Sequence, residues 1–296
     1  MTTVLITGPT RGLGRAAALA MASRPEPPDL VLVGRGGAAL TEVAGEARRR
    51  GARVHEIGCD LSRLADVRKA AAQARTMDVS VVVANAGLMS SDTRRASADG
   101  YELTFAVNYL AHAQLIGDLA DDLVAPGRIV LLGSNTYRAN FWRRLLGVPE
   151  ADWRDPIDLA RPAPADRQPG FKASGVAYSN AKLAVLYYAH ELQRRVRPGT
   201  NVVVFEPGWM PGTSLGRDTP AAMQAMGRAL GRLPGVSTPR RSGPALASVA
   251  LDARWSDLRD GAFVVQNRVT EVAPIAHDPA RERRLSEATR ELLDAS

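Results

Sequence analysis

Short runs of β-branched and apolar residues alternate along this chain with longer Ala-, Leu- and Arg-rich stretches of helical period. The runs are TVLIT from Thr3, LVLVG from Leu30, ARVHEI from Ala52, VSVVVA from Val79, RIVLLG from Arg128, NVVVFE from Asn201 and GAFVVQ from Gly261. Regular alternation of this kind is the pattern of parallel strands joined by helical crossovers. Helices are expected near 12–23, 38–50, 63–75, 101–123, 176–195, 221–230, 243–253 and 279–293, the last with Asp278 as N-cap and Pro279 at its first position. The expected fold class is therefore α/β, with one doubly wound parallel sheet of about seven strands flanked by helices. No repeat or linker divides the chain, so one domain over residues 1–296 is expected.

Two stretches interrupt the rhythm. One, about residues 135–177, holds Tyr137, Phe141, Trp142, Trp153, Phe171 and a Pro-rich run; the other, about 209–242, is rich in turn residues and Met. Both are too long for ordinary connections and read as substrate-loop insertions. With 45% hydrophobic and 23% charged residues and no apolar run near the ~18–20 residues of a membrane span, no membrane span is expected. The start MTTVLITG is already strand-like, which points to the cytoplasm. A single cysteine, Cys59, excludes an internal disulfide framework. His55, His112, His190 and His277 lie far apart without ligand spacing, so no metal site is expected. The net charge of +7 is spread over scattered arginines rather than a basic stripe, and nucleic acid is not an expected partner.

Chemistry-bearing residues cluster at particular strand ends. The first strand runs into TGPTRGLG, where Gly8, Gly12 and Gly14 permit a tight strand-to-helix turn that brings backbone N–H groups to a diphosphate. Thr10, Arg11 and Leu13 belong to the same loop. The second strand ends at Arg35, where an acid would suit the ribose hydroxyls of NAD; a guanidinium there, with Arg11, suits a 2′-phosphate and predicts NADP(H). Asp60, followed by Leu61, could accept from the adenine amino group, and Asn85, Ala86 and Gly87 give a close backbone approach after the fourth strand. Tyr178 and Lys182 are four apart, on one helix face, where an ammonium can act on a phenol.

In order and rough spacing, TGPTRGLG, NAG, Asn108 in FAVNYLAH, Ser134 in IVLLGSN, YSNAK and Pro207-Gly208 resemble the motifs of the short-chain dehydrogenase/reductase family, over nearly the whole chain. NAGLM, DGYELTFAVNYLAH, YSNAKLA and PGWMPGTSLGR are most similar to its retinol dehydrogenase and protochlorophyllide reductase branch. The resemblance implies a Rossmann-type fold and a catalytic set of Asn108, Ser134, Tyr178 and Lys182. Ser134 would hydrogen-bond the substrate oxygen and Tyr178 would protonate it as hydride arrives from the nicotinamide. Lys182 would lower the Tyr178 pKa and hold the nicotinamide ribose, and Asn108 would keep a water that reloads the tyrosine. Pro207 and Gly208 complete the cofactor set.

Gly133 stands where many members carry serine, and Trp209 where the pigment reductases carry cysteine, which argues against light-driven pigment reduction. Trp142, Trp153, Trp209 and Met210, with Phe171, Met223 and Met226, suggest an apolar pocket for a bulky substrate. The reading is an NADP(H)-dependent oxidoreductase that interconverts a carbonyl and an alcohol on a bulky hydrophobic small-molecule substrate. Its Arg-, Ala- and Gly-rich, lysine-poor composition is similar to that of a GC-rich bacterial gene product, and the resemblance implies a place in secondary metabolism. Alternatives are reduction of an activated C=C bond and a non-catalytic NADP(H)-binding regulator. The resemblance leaves a homo-oligomer open, through the helices near 101–123 and 176–195.

Overall fold

The computed structural model describes residues 2–138, 149–210 and 236–296. Eight strands form one sheet in the order β3-β2-β1-β4-β5-β6-β7-β8. They are β1 Thr3–Thr7, β2 Asp29–Gly34, β3 Val54–Gly58, β4 Val81–Ala84, β5 Gly127–Leu132, β6 Thr200–Glu206, β7 Ala262–Val265 and β8 Arg268–Val269. Every residue of β1, β4 and β6 is buried, as β-branched strands must be when helices cover both faces of a parallel sheet. All neighbours through β7 are parallel.

The eighth strand corrects the expected count of seven. It pairs antiparallel with β7 after a turn in which Gln266 takes φ 53°. Two exposed residues, Arg and Val, carry no apolar run by which a strand could be read from sequence.

The helices are α1 Gly12–Ala22, α2 Ala38–Arg49, α3 Leu64–Ala74, α4 over 103–119, the short α5 Pro156–Leu159, α6 Phe171–Arg195, α7 Pro239–Leu251 and α8 Pro279–Asp294. One core layer joins Leu13, Leu40 and Leu246 of α1, α2 and α7 to the sheet. The opposite layer joins Val67, Tyr109, Leu186 and Leu285 of α3, α4, α6 and α8. Asp278 caps α8 by accepting from the N–H groups of Ala280 and Arg281, as its sequence position predicts.

The short α5 was not expected, and three further helices differ from expectation. α4 carries a π-helical turn at Ala106–Leu110, where the Asn108 side chain turns away from the helix to Leu88. α6 starts five residues before Val176, because its first turn, with exposed Phe171 and Lys172, lacks an apolar face that would mark it. α7 starts at Pro239: proline reads as a breaker, yet at the first helical position its missing N–H costs nothing. The helix expected at 221–230 lies outside the described residues, as do Trp142, Met223 and Met226.

The order in which strands are added reverses between β1 and β4: from β1 the sheet grows one way to β2 and β3 and the other way through β4 to β8. Such a reversal splays the loops at the strand carboxyl ends and opens a crevice there.

Candidate active site

The crevice is a cleft of about 550 Å³. Its lining includes Gly8, Thr10, Arg11, Gly12, Leu13 and Gly14 after β1, Arg35 after β2, and Asp60 and Leu61 after β3. Asn85, Ala86 and Gly87 line it after β4, Ser134 after β5, Tyr178 and Lys182 from α6, and Pro207, Gly208, Trp209 and Met210 after β6.

The first turn forms a cradle. Gly12 has φ 55°, a conformation that favours glycine. A Cβ at Gly14 would overlap the Gly8 carbonyl and the Asn85 amide, so only hydrogen fits where α1 meets the loop. Arg11 starts α1 without a side-chain cap, and no acidic residue occupies the first turn, which leaves backbone N–H groups and the positive end of the helix for an anion. Arg11 and Arg35 are both exposed on the cleft. This donor set fits a dinucleotide with an additional phosphate.

Asn85 braces the loop: its Nδ2 donates to the Thr7 carbonyl at 2.9 Å and to the Gly8 carbonyl at 3.3 Å. Thr7 Oγ1 accepts from the backbone N–H groups of Asn85 at 3.0 Å and Ala86 at 2.9 Å. Its remaining partner is His112 Nε2 at 3.0 Å, and His112 Nδ1 lies 3.4 Å from the Asn108 carbonyl. A carbonyl can only accept, so Nδ1 carries the imidazole proton and Nε2 accepts from Thr7. Burial pushes the His112 pKa down to about 4, keeping the ring neutral. Neither Thr7 nor His112 was expected at the site. The one local signal was spacing: His112 follows Asn108 by one helical turn.

The Asn108 side chain accepts from the Leu88 N–H and donates to the Leu88 carbonyl, both at 2.8 Å. It therefore pins the loop after β4 to α4. Asn108 is 2% exposed and does not itself line the cleft.

Ser134, just after β5, and Tyr178, on α6, both line the cleft, and Ser134 Oγ accepts from the Thr136 N–H at 3.3 Å. Lys182 Nζ lies 5.7 Å from the centre of the Tyr178 ring and donates to the Leu132 carbonyl at 2.7 Å. Lys182 is not among the groups that set the direction of the Tyr178 shift in this structure. Burial pushes the Tyr178 phenol well above its ordinary range; the Ser134 hydrogen bond pulls it down, and the Glu206 carboxylate adds to the rise. Burial also lowers the Lys182 ammonium to about 8, which weakens the charge it can lend. Cys59 lines the same cleft, but burial pushes its thiol up to about 12, so it is inert as a nucleophile.

Residues 2–142 match the family model described as short chain dehydrogenase. A Streptomyces sp. (strain C5) protein whose assigned activity is daunorubicin C-13 ketoreduction is 35% identical over 223 residues, 74% of this chain and 69% of that protein. The chain belongs to the short-chain dehydrogenase family. Another relative, human retinol dehydrogenase 13, is 30% identical over 226 residues, covering 73% of this chain and 61% of its own length. Among solved structures, a blue fluorescent protein from a metagenomic library in complex with NADPH superposes with TM-score 0.64 at 22% identity, over 90% of this chain and 96% of that one. A short-chain dehydrogenase/reductase from Serratia marcescens superposes with TM-score 0.65 at 20% identity, over 89% and 95%. These structural likenesses bear on the fold.

Against this short-chain dehydrogenase frame, the apolar residues expected at the substrate divide. Trp209, 59% exposed, and Met210 stand at the cleft. Trp153 does not line it: its ring packs edge-on against Tyr187 at 4.8 Å between centroids, in the layer under α6. Phe171 is also absent from the lining and is 55% exposed. Leu88, Leu103 and Val107 supply apolar lining that sequence reasoning missed. Leu88 directly follows the NAG motif and Val107 directly precedes Asn108, but neighbours of a motif carry no mark of which way they face.

Proposed function

We propose that this protein is an NADP(H)-dependent oxidoreductase, a single cytoplasmic domain, that interconverts a carbonyl and an alcohol on a bulky hydrophobic substrate. The observation that carries the reading is that Tyr178, Ser134 and Lys182 line the same cleft as the glycine cradle. The cradle residues Gly8, Gly12 and Gly14 with the first turn of α1 would hold the diphosphate, and Arg11 and Arg35 the 2′-phosphate. When bound, the nicotinamide supplies the hydride that the protein's own groups cannot.

Ser134 orients the substrate oxygen by donating a hydrogen bond, and Tyr178 delivers the proton to it. A phenol held protonated by burial suits the reductive direction, in which it must give a proton up. Lys182, buried beside the tyrosine with its Nζ 5.7 Å from the ring centre, is a cation close to the phenolate formed at that step. The Asn108–Leu88 contact holds Leu88, part of the cleft lining, in place. Trp209, Met210, Leu88, Leu103 and Val107 favour an apolar substrate. The similarity to the Streptomyces ketoreductase, together with composition, supports a place in bacterial secondary metabolism.

The test is turnover of NADPH and NADH with a panel of small and polycyclic ketones, followed by product analysis. NADPH oxidation with formation of a secondary alcohol on large ketones is expected, with activity lost in Tyr178→Phe. Equal use of NADH, or full turnover by Tyr178→Phe, would overturn the assignment. Saturation of a C=C bond with the carbonyl retained would favour the alternative chemistry. That alternative draws on the 30% identity, over 231 residues, to a Chlamydomonas reinhardtii protochlorophyllide reductase.

A further inference from the structure

Glu282 is a charged residue with no part in the chemistry above, yet its side chain has 0% exposure. It lies in the first turns of α8, and nothing in the cleft needs it there. A buried carboxylate is costly unless its oxygens are occupied, and an apolar side chain would fill the same space more cheaply. Its two oxygens face different groups. Oε2 accepts from Arg194 at 2.6 Å, while Oε1 faces two imidazoles: His190 Nδ1 at 2.8 Å and His277 Nδ1 at 3.9 Å.

The histidines come from separate elements. His190 is on α6, 5% exposed, and His277 sits in the turn before α8, 61% exposed. Their rings stand nearly perpendicular with centroids 4.9 Å apart. One donor atom from each of the three residues lies within 4.8 Å of the other two. We propose that His190, His277 and Glu282 form a binding site for Zn2+ or a similar divalent transition ion, clamping α8 to α6.

The donor chemistry selects the ion. Two imidazoles and one carboxylate suit Zn2+ and its neighbours, and suit Mg2+ and Ca2+ poorly because these prefer oxygen. A tetrahedral zinc with bonds of about 2.0–2.1 Å sets its donors roughly 3.3 Å apart. The observed 2.8 and 3.9 Å separations straddle that figure, and the two imidazole donors also lie within 4.8 Å of each other. The exposed His277 provides the entry path and leaves a fourth position open to water. Arg194 occupies only Oε2, and at 49% exposure it can withdraw its charge toward solvent while keeping Glu191 as a partner. It thereby acts as an outer hydrogen-bond donor to the ligating carboxylate.

The experiment uses the untagged full chain, stripped with a chelator. Zn2+ is titrated by calorimetry, and Co2+ by the visible absorption of a tetrahedral centre. Expected are one ion per chain, a thermal midpoint raised by Zn2+ but not by Mg2+, and at least tenfold weaker binding in His277→Ala. The exposed position of His277 leaves that variant folded, and His277→Asp, which restores an oxygen donor, should recover part of the affinity. Absence of stoichiometric Zn2+ binding, or an affinity unchanged by His277→Ala, would overturn the proposal. None of these readouts depends on the oxidoreductase reading.

Discussion

Acidification should unfasten the cofactor cradle through one buried imidazole. His112, 3% exposed, bridges Thr7 beneath the glycine turn and Asn108 in α4, and burial lowers its pKa from 6.5 to about 4. Between those values the unfolded chain binds a proton that the folded chain refuses. Stability therefore falls as the pH falls through 6.5, and the loss is complete below 4. At about 1.4 kcal/mol per pKa unit the full loss is about 3 kcal/mol, of which about 2 kcal/mol is incurred by pH 5. Urea unfolding followed by tryptophan fluorescence at pH 7.5 and pH 5 measures it. Wild type should lose about 2 kcal/mol more across that interval than His112→Gln, which keeps a hydrogen-bonding side chain but does not titrate. Parallel losses in the two proteins would refute the neutral, buried imidazole as the acid-sensitive element.

Lys182 should act at the alkaline side: with its pKa lowered from 10.5 to about 8, the unfolded chain binds more protons between those values, so stability should rise with pH there. Lys182→Met should abolish that rise in unfolding titrations. Arg35→Ala should raise the KM for NADPH tenfold or more and leave that for NADH nearly unchanged, as a steady-state comparison would reveal. Gly14→Ala forces a methyl group onto the Gly8 carbonyl and should cost about 1–3 kcal/mol together with dinucleotide retention, read by thermal unfolding with and without NADPH. Trp153→Ala should lower stability by about 2 kcal/mol without altering KM for a large ketone, since the ring packs on Tyr187 and not at the cleft.

Much of the architecture was legible because it is written in local terms. The seven parallel strands are β-branched runs, and α8 announces itself with Asp278 and Pro279. β8 was invisible because two exposed residues hold no pattern, and the π turn of α4 because it arises where Asn108 reaches Leu88, twenty residues away. At the site, the glycine turn, Arg11, Arg35, Ser134, Tyr178, Lys182 and Pro207-Gly208 line one cleft. Trp153 illustrates the limit: an aromatic residue in a long insertion looks the same whether it faces a ligand or the core.

Sequence alone determined the order of the elements, the shape of the glycine turn, and the placing of Tyr178 and Lys182 on one helix face. Those features depend on backbone conformation and on spacings of a few residues. Tertiary structure decided everything set by burial or by distant partners. It put the Tyr178 phenol where burial raises it, and it joined Thr7 to His112 across 105 positions. It also brought His190 and His277 to one buried carboxylate. Desolvation and long-range hydrogen bonding have no period in sequence, because they exist only once the layers have packed.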